Sequence, residues 1–169
     1  QMLLAAMPSS TPARGYAGWV VRLATPSRCD ALAPAGSVRV AEAAGRAASA
    51  VVRNRLGADV IKSKASRGDL LTEVDGQVQE LIEEHVQNAF PTHAFLGEES
   101  VPAGSKASAE ALNAVMAASS AEFLWIVDPI DGTTNFVQSL PLVGISIGVA
   151  RLTAAAGTWA RVEGAIIDP

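Results

Sequence analysis

Two apolar stretches of this chain end in pairs of acids. "HAFLGEES" (residues 93–100) runs through a short apolar segment to Gly97 and then gives Glu98 and Glu99, and "FLWIVDPIDGTTNF" (residues 123–136) is apolar until Asp128, with Asp131 three residues further on. Strand ends are where a rigid scaffold presents reactive groups. Taken singly, Asp131-Gly132 reads as a turn and the acids as the place where chain meets water. Their combination points to chemistry. Pro129 stiffens the step after Asp128 so that the two aspartates can converge, and the Ile130 carbonyl between them is available as a further hard oxygen ligand. Oxygen donors of this kind suit magnesium. Gly132, Thr133 and Thr134 then offer backbone N–H groups at the start of a helix running into "NFVQS", a place suited to an anionic phosphate.

These groups need elements to hold them. "SVRVAEAAGRAASAVVRNRLG" is predicted as an amphipathic helix with Ser37 as N-cap, an apolar face of Ala41, Ala44, Ala48, Val51, Val52 and Leu56, and Gly57 as its stop. "DLLTEVDGQVQELIEEHVQNAFP" reads as an extended piece to Val74 and then a helix, with Asp75 at the N-cap, Val78, Leu81, Ile82, Val86 and Ala89 facing inward, and Pro91 beyond its end. "HAFLG" and "FLWIV" are short strands. The Ala/Ser-rich stretch between them is expected to be a surface excursion with one short helix around Ala109 to Met116. "LVGISIGVARL" and "TWARVEGAIID" form two further strands joined tightly across Thr153 to Gly157. The fold class is therefore α+β: two helices packed on a mostly antiparallel sheet.

Composition narrows the function classes. A chain of 169 residues, 49% hydrophobic, buries one ordinary core and is one domain or part of one. A net charge of −4 with scattered Lys and Arg gives no basic stripe for a phosphate backbone, which argues against nucleic acid. The one cysteine, Cys29, makes no internal disulfide and no thiolate cluster for zinc, as in a reducing compartment. No apolar run is long enough to cross a membrane, so a soluble, cytoplasmic protein is expected. Residues 1–36 stand apart as an extension, since folded structure is expected to begin at Ser37. As far as Cys29 the chain has no acid, while Arg14, Arg22 and Arg28 are interspersed with Ser, Thr and three prolines. That composition fits either a disordered tail or an organelle transit peptide, the latter implying a plastid or mitochondrion.

The motifs "DLLTEVD" (residues 69–75), "FLGEES" (residues 95–100) and above all "WIVDPIDGTTNF" (residues 125–136), followed by "PLVGISIGVA", resemble in order and spacing the lithium-sensitive, magnesium-dependent sugar phosphatases typified by inositol monophosphatase. The resemblance covers residues 37–169. It implies the N-terminal half of a layered α/β/α fold that hydrolyses the phosphate ester of inositol or a related small polyol or sugar, using two or three magnesium ions and, at full length, a homodimer. Carried over by position, it makes Glu98 and Asp128 ligands of the first ion, joined by the Ile130 carbonyl. Asp128 bridges to a second ion that Asp131 helps hold. Thr133 and Glu98 position the attacking water, Asp75 orients the threonine hydroxyl, and Gly132 and Thr133 meet the phosphate. Lys64 matches a lysine near the active site, with Lys62 as its competitor. Paired ions that acidify a water and clamp the attacking and leaving oxygens need no covalent phosphoenzyme.

Other residues are left structural. Glu99 is expected to point away from its neighbour, as adjacent side chains of an extended segment do. His85 and His93 have no partner at metal-ligand spacing and are read as surface residues, and Trp19, Trp125 and Trp159 as packing groups. The sequence also departs from the family pattern. Gln138 stands where many members carry histidine, and the segment between Ser100 and Phe123 is longer than usual. The chain stops at "GAIIDP", before the half in which the family places another metal-binding aspartate, Asp168 is no replacement for it, and residues 1–169 alone are therefore expected to show no magnesium-dependent turnover. Two rival readings follow. One is a phosphatase with an aspartate nucleophile, against which the Asp128–Asp131 spacing argues; the other is a metal- or partner-binding domain without turnover.

Overall fold

A computed structural model describes residues 20–22, 34–58, 60–63, 70–102, 105–118, 120–153, 158–167 and 169. In chain order the elements are β1 (Val20–Arg22), α1 (Ser37–Asn54), β2 (Val60–Ser63), β3 (Leu70–Thr72), α2 (Glu73–Ala89), β4 (Ala94–Gly97), α3 (Ser105–Ala118), β5 (Phe123–Asp131), α4 (Thr133–Val137), β6 (Gly144–Thr153) and β7 (Thr158–Ile167). Five strands form one sheet in the order β1-β7-β6-β5-β4, and β2 and β3 form a separate antiparallel pair. Among the described residues every pairing in the large sheet is antiparallel except β4 with β5.

The period-2 alternation of β5 explains the layering. Trp125 and Val127 face one way, together with Ile145, Ile147 and Val149 of β6, and meet the inward faces of α1 and α2. Leu124 and Ile126 face the other way, where they pack with Leu96, Val101 and the Ala107, Ala111, Leu112 and Val115 stripe of α3. The result is two helices, a sheet, and a helix on the far side. The small residues of "AEAAG" let α1 lie close to the sheet: a Cβ at Gly45 would fall 2.3 Å from Cδ1 of Ile167.

Several expectations shift. Val20–Arg22, within the stretch read as an extension, pairs with the outer edge of β7 from Ile167 to Ala165. Gly36, in the left-handed region at φ 88, caps α1, and Ser37 is its first, buried residue. The helix of the Ala/Ser-rich stretch is longer than read, reaching from Ser105 to Ala118. Asp75 is not the N-cap of α2. Thr72 is, and its hydroxyl accepts from the Val74 N–H while Asp75, at the third helical position, reaches back to the Thr72 N–H. His93 is no free surface residue. It stacks on Phe90 with ring centroids 4.6 Å apart, and its Nδ1 accepts the indole N–H of the buried Trp125 at 3.0 Å. His85 stays on the flank of α2, its Nδ1 2.8 Å from the Leu81 carbonyl oxygen. No helix among the described residues is long and apolar enough to cross a membrane.

The start of α2 is thus fixed by a reciprocal cap. Thr72→Val, nearly the same shape without the hydroxyl, is expected to lower stability by about 1 kcal/mol. Urea unfolding followed by circular dichroism checks this, and an unchanged midpoint would remove the cap from the account.

Candidate active site

Because β4 and β5 run the same way, their C-terminal ends reach the same edge of the sheet. Gly97 lies opposite Val127, so the next residues on the two strands, Glu98 and Asp128, emerge side by side. This juxtaposition loads the site with charge. Burial, then the charge of Glu98, then that of Asp131, together with a hydrogen bond shared with Glu98, push the Asp128 carboxyl up to about 8. Its Oδ1 is buried without a hydrogen-bond partner.

Asp131 reaches the same place through an irregularity. Residues three apart on a regular strand face opposite sides of the sheet. Here the pairing with β6 slips: Asp128 lies opposite Ser146, but Asp131 lies opposite Gly144. Three steps on β5 match two on β6, the signature of a bulge, and Pro129, which has no N–H to give the ladder, sits inside it. The bulge restores the parity that brings Asp131 toward Asp128. The chain then turns sharply at Gly132, with φ 96, where a Cβ would lie 2.9 Å from the Leu142 carbonyl oxygen.

The turn delivers Thr133. Its hydroxyl donates toward the Ile130 carbonyl at 3.0 Å and toward Asp75 Oδ1 at 3.4 Å. Asp75 is 1% exposed, and its other oxygen, Oδ2, accepts from the Thr72 N–H at 2.8 Å and the Thr72 hydroxyl at 2.5 Å. The aspartate that caps α2 therefore also tethers α4. Gly57, just beyond α1, adds a second tie by donating its N–H to the Phe136 carbonyl at 2.9 Å.

Of the residues singled out in the sequence, Glu98, Asp128, Asp131, Ile130, Gly132, Thr133 and Asp75 meet at this edge. Lys64 lies outside the described residues, and of Lys62 only the backbone is described. Glu99 does not sit in an extended segment, because Glu98–Ser100 is a 3-10 turn. The alternation argument against it therefore does not apply. One residue was missed altogether: Gln79, on the inward face of α2, whose amide holds the backbone N–H of Glu99. Its place four residues after Asp75, on the same helix face, is the signal that was available.

Among the described residues no three Asp, Glu, His or Cys side chains are placed so that together they could hold a metal ion. The donor set nevertheless fits a hard cation. Every contributing atom is an oxygen, and the Asp128 Oδ1 is buried with no donor to it.

Residues 35–157 match the inositol monophosphatase family. Inositol monophosphatase 1 of Xenopus laevis and that of Homo sapiens are each 36% identical over 114 residues, which cover 68% of this chain and 36% of theirs. Inositol monophosphatase 2 of Mus musculus is 41% identical over 90 residues, covering 53% of this chain and 28% of its own. The chain thus spans 36% of the length of the first of these relatives. Among solved structures, the extragenic suppressor protein suhB from Bartonella henselae superimposes with a TM-score of 0.56 at 25% identity, covering 76% of this chain and 42% of its own. A staphylococcal IMPase-I complexed with products gives a TM-score of 0.50 at 25% identity, covering 70% and 40%.

The crowded acids carry a pH signature. The Asp128 carboxyl holds its proton more tightly folded than unfolded, so its contribution to stability is full below about pH 4 and is lost as pH rises through about 8. In the presence of a chelator, Asp128→Asn should therefore melt several degrees higher than the parent at pH 8 to 9, and the gap should shrink toward pH 4, where the parent carboxyl is also neutral. Melting curves that run parallel across this range would show that Asp128 is not under such pressure.

Proposed function

Because the chain belongs to the inositol monophosphatase family, we propose that it hydrolyses the phosphate monoester of inositol or of a related small polyol or sugar, with magnesium as cofactor. The observation that carries this reading is the meeting of Glu98, Asp128 and Asp131 at one sheet edge, beside a threonine hydroxyl held from behind by a buried aspartate. In the reaction, water adds to phosphorus as the ester P–O bond breaks, giving inorganic phosphate and the free alcohol.

Glu98, Asp128, Asp131 and the Ile130 carbonyl would hold the metal, two or three ions in all. Bound magnesium supplies a water acidic enough to react near neutral pH and positive charge against the phosphate oxygens. The protein's own groups set the geometry. A hydroxyl has one proton, and both near neighbours of the Thr133 hydroxyl, the Ile130 carbonyl and the Asp75 carboxylate, are acceptors. Its proton therefore points inward and its lone pairs are left to accept from the attacking water. Glu98 accepts the second hydrogen of that water. Asp75 keeps the threonine in this orientation without touching substrate, since Thr72 occupies its other oxygen. The Gly132 and Thr133 amides would face the phosphate, and Lys64 would add a positive charge on the substrate side. Holding the water in line with the breaking bond is the main contribution expected of such groups.

The test is phosphate release from inositol 1-phosphate, with and without magnesium, by this chain together with the remaining length that its relatives have, since it spans 36% of theirs. Thr133→Ala should lower kcat about 10- to 100-fold while the magnesium dependence shifts less than about twofold, because the hydroxyl orients water and does not anchor the ion. Normal turnover in that variant would remove Thr133 from the mechanism. Asp75→Asn should lower kcat similarly and also cost about 1 kcal/mol of stability, because the same carboxylate closes the cap of α2.

A further inference from the structure

We infer that Gln79 is a positioning residue for the turn that carries Glu98, an assignment that rests on the reading of Glu98 and Asp128 as magnesium ligands. Gln79 lies on the inward face of α2 and is 8% exposed. An amide in such a place costs about 1–3 kcal/mol unless its polar atoms are satisfied, and an apolar side chain would fill the position without that penalty. Both ends of this amide are used on one target. Oε1 accepts the Glu99 N–H at 2.9 Å, and Nε2 donates to the Ser100 hydroxyl at 3.0 Å. A single side chain thus grips the Glu98–Ser100 turn at two consecutive residues. Within the turn, the Val101 N–H donates to the Glu98 carbonyl at 3.0 Å.

Gly97 gives a second, independent observation. Its backbone is ordinary extended chain, φ −95 and ψ 149, which any residue adopts, so conformation does not call for glycine there. Space does. A Cβ at Gly97 would lie 2.0 Å from Gln79 Oε1 and 2.1 Å from its Cδ. The missing side chain at the end of β4 is the slot that the Gln79 amide occupies. Gln79 also follows Asp75 by four residues, one turn further along the same face of α2. One helix therefore holds both walls of the site, Thr133 through Asp75 and the Glu98 turn through Gln79, and its rigid pitch sets their separation.

The experiment uses the full chain with Mn2+ as the metal probe. Gln79→Met keeps length and removes both hydrogen bonds. In chelator, hydrogen exchange of the Glu99 amide should accelerate at least about 10-fold, a local change that reads the turn without any metal. Calorimetric Mn2+ affinity should fall about 10- to 100-fold, as expected when a group that orients a ligand is lost. Gln79→Glu retains an acceptor for the Glu99 N–H and lets the Ser100 hydroxyl reverse and donate, so it should restore affinity to within about threefold of the parent. The assignment is overturned if Gln79→Met keeps parental Glu99 protection and Mn2+ affinity, or if Gln79→Glu is as impaired as Gln79→Met. Asp128→Asn separates the two levels of the argument. If it binds Mn2+ as the parent does, the carboxylate site itself fails; if it loses Mn2+ while Gln79→Met does not, only the role of Gln79 fails.

Discussion

Two strands that point the same way put their ends, and whatever follows those ends, on the same edge of a sheet. Among the described residues the pairing of β4 with β5 is the one parallel contact in the large sheet, and the meeting of Glu98 with Asp128 depends on it. Had β5 turned back on β4 as a hairpin, the two acids would stand at opposite ends of the sheet. A parallel pair requires a crossover of a dozen or more residues. Here the crossover is the stretch that holds α3, which leaves the turn after β4, packs on the far face of the sheet and returns to the start of β5. The Ala/Ser-rich segment supplies the length and the small, weakly apolar face that this crossover needs.

Convergence has a physical cost. Burial first, and then the charges of Glu98 and Asp131, raise the affinity of the Asp128 carboxyl for its proton. Such an arrangement persists only if the surrounding scaffold holds it. The scaffold here is α2: its first turn is closed by Thr72 and Asp75, Asp75 reaches on to Thr133, and Gln79 reaches the turn after β4. The same helix presents Val78, Ile82 and Val86 to the core, so the polar ties are anchored to a buried apolar cluster. An ion in this place would relieve the repulsion that the scaffold now opposes.

Much of this was legible in the sequence. The 3.6-residue spacing of apolar positions located α1 and α2, and the "DPIDGTTNF" stretch pointed to most of the acids. What escaped has identifiable reasons. Alternation of apolar residues is the same in parallel and antiparallel strands, so the direction of β4 relative to β5 was not written locally. Asp75 reads equally well as a cap or as the third residue of a capping box, and the difference turns on whether Thr72 is the last extended residue. Glu99 was judged by the geometry of a strand, but the chain had already left the strand at Gly97. His93 looked isolated because two of its partners, Trp125 and Phe123, lie far along the chain and meet it only through the sheet. Gln79 was passed over because amides on helices are common, and its bonds to Glu99 and Ser100 emerge only once the turn after β4 has formed.

The central claim is that Glu98, Asp128 and Asp131 form one cation site at the shared end of β4 and β5. Crystals of the protein soaked in Mn2+ and measured at the manganese absorption edge test it most directly. The account predicts an anomalous peak bounded by these three carboxylates and the Ile130 carbonyl, and its loss in Asp128→Asn. A strong peak elsewhere on the molecule, with none between Glu98 and Asp128, would contradict it.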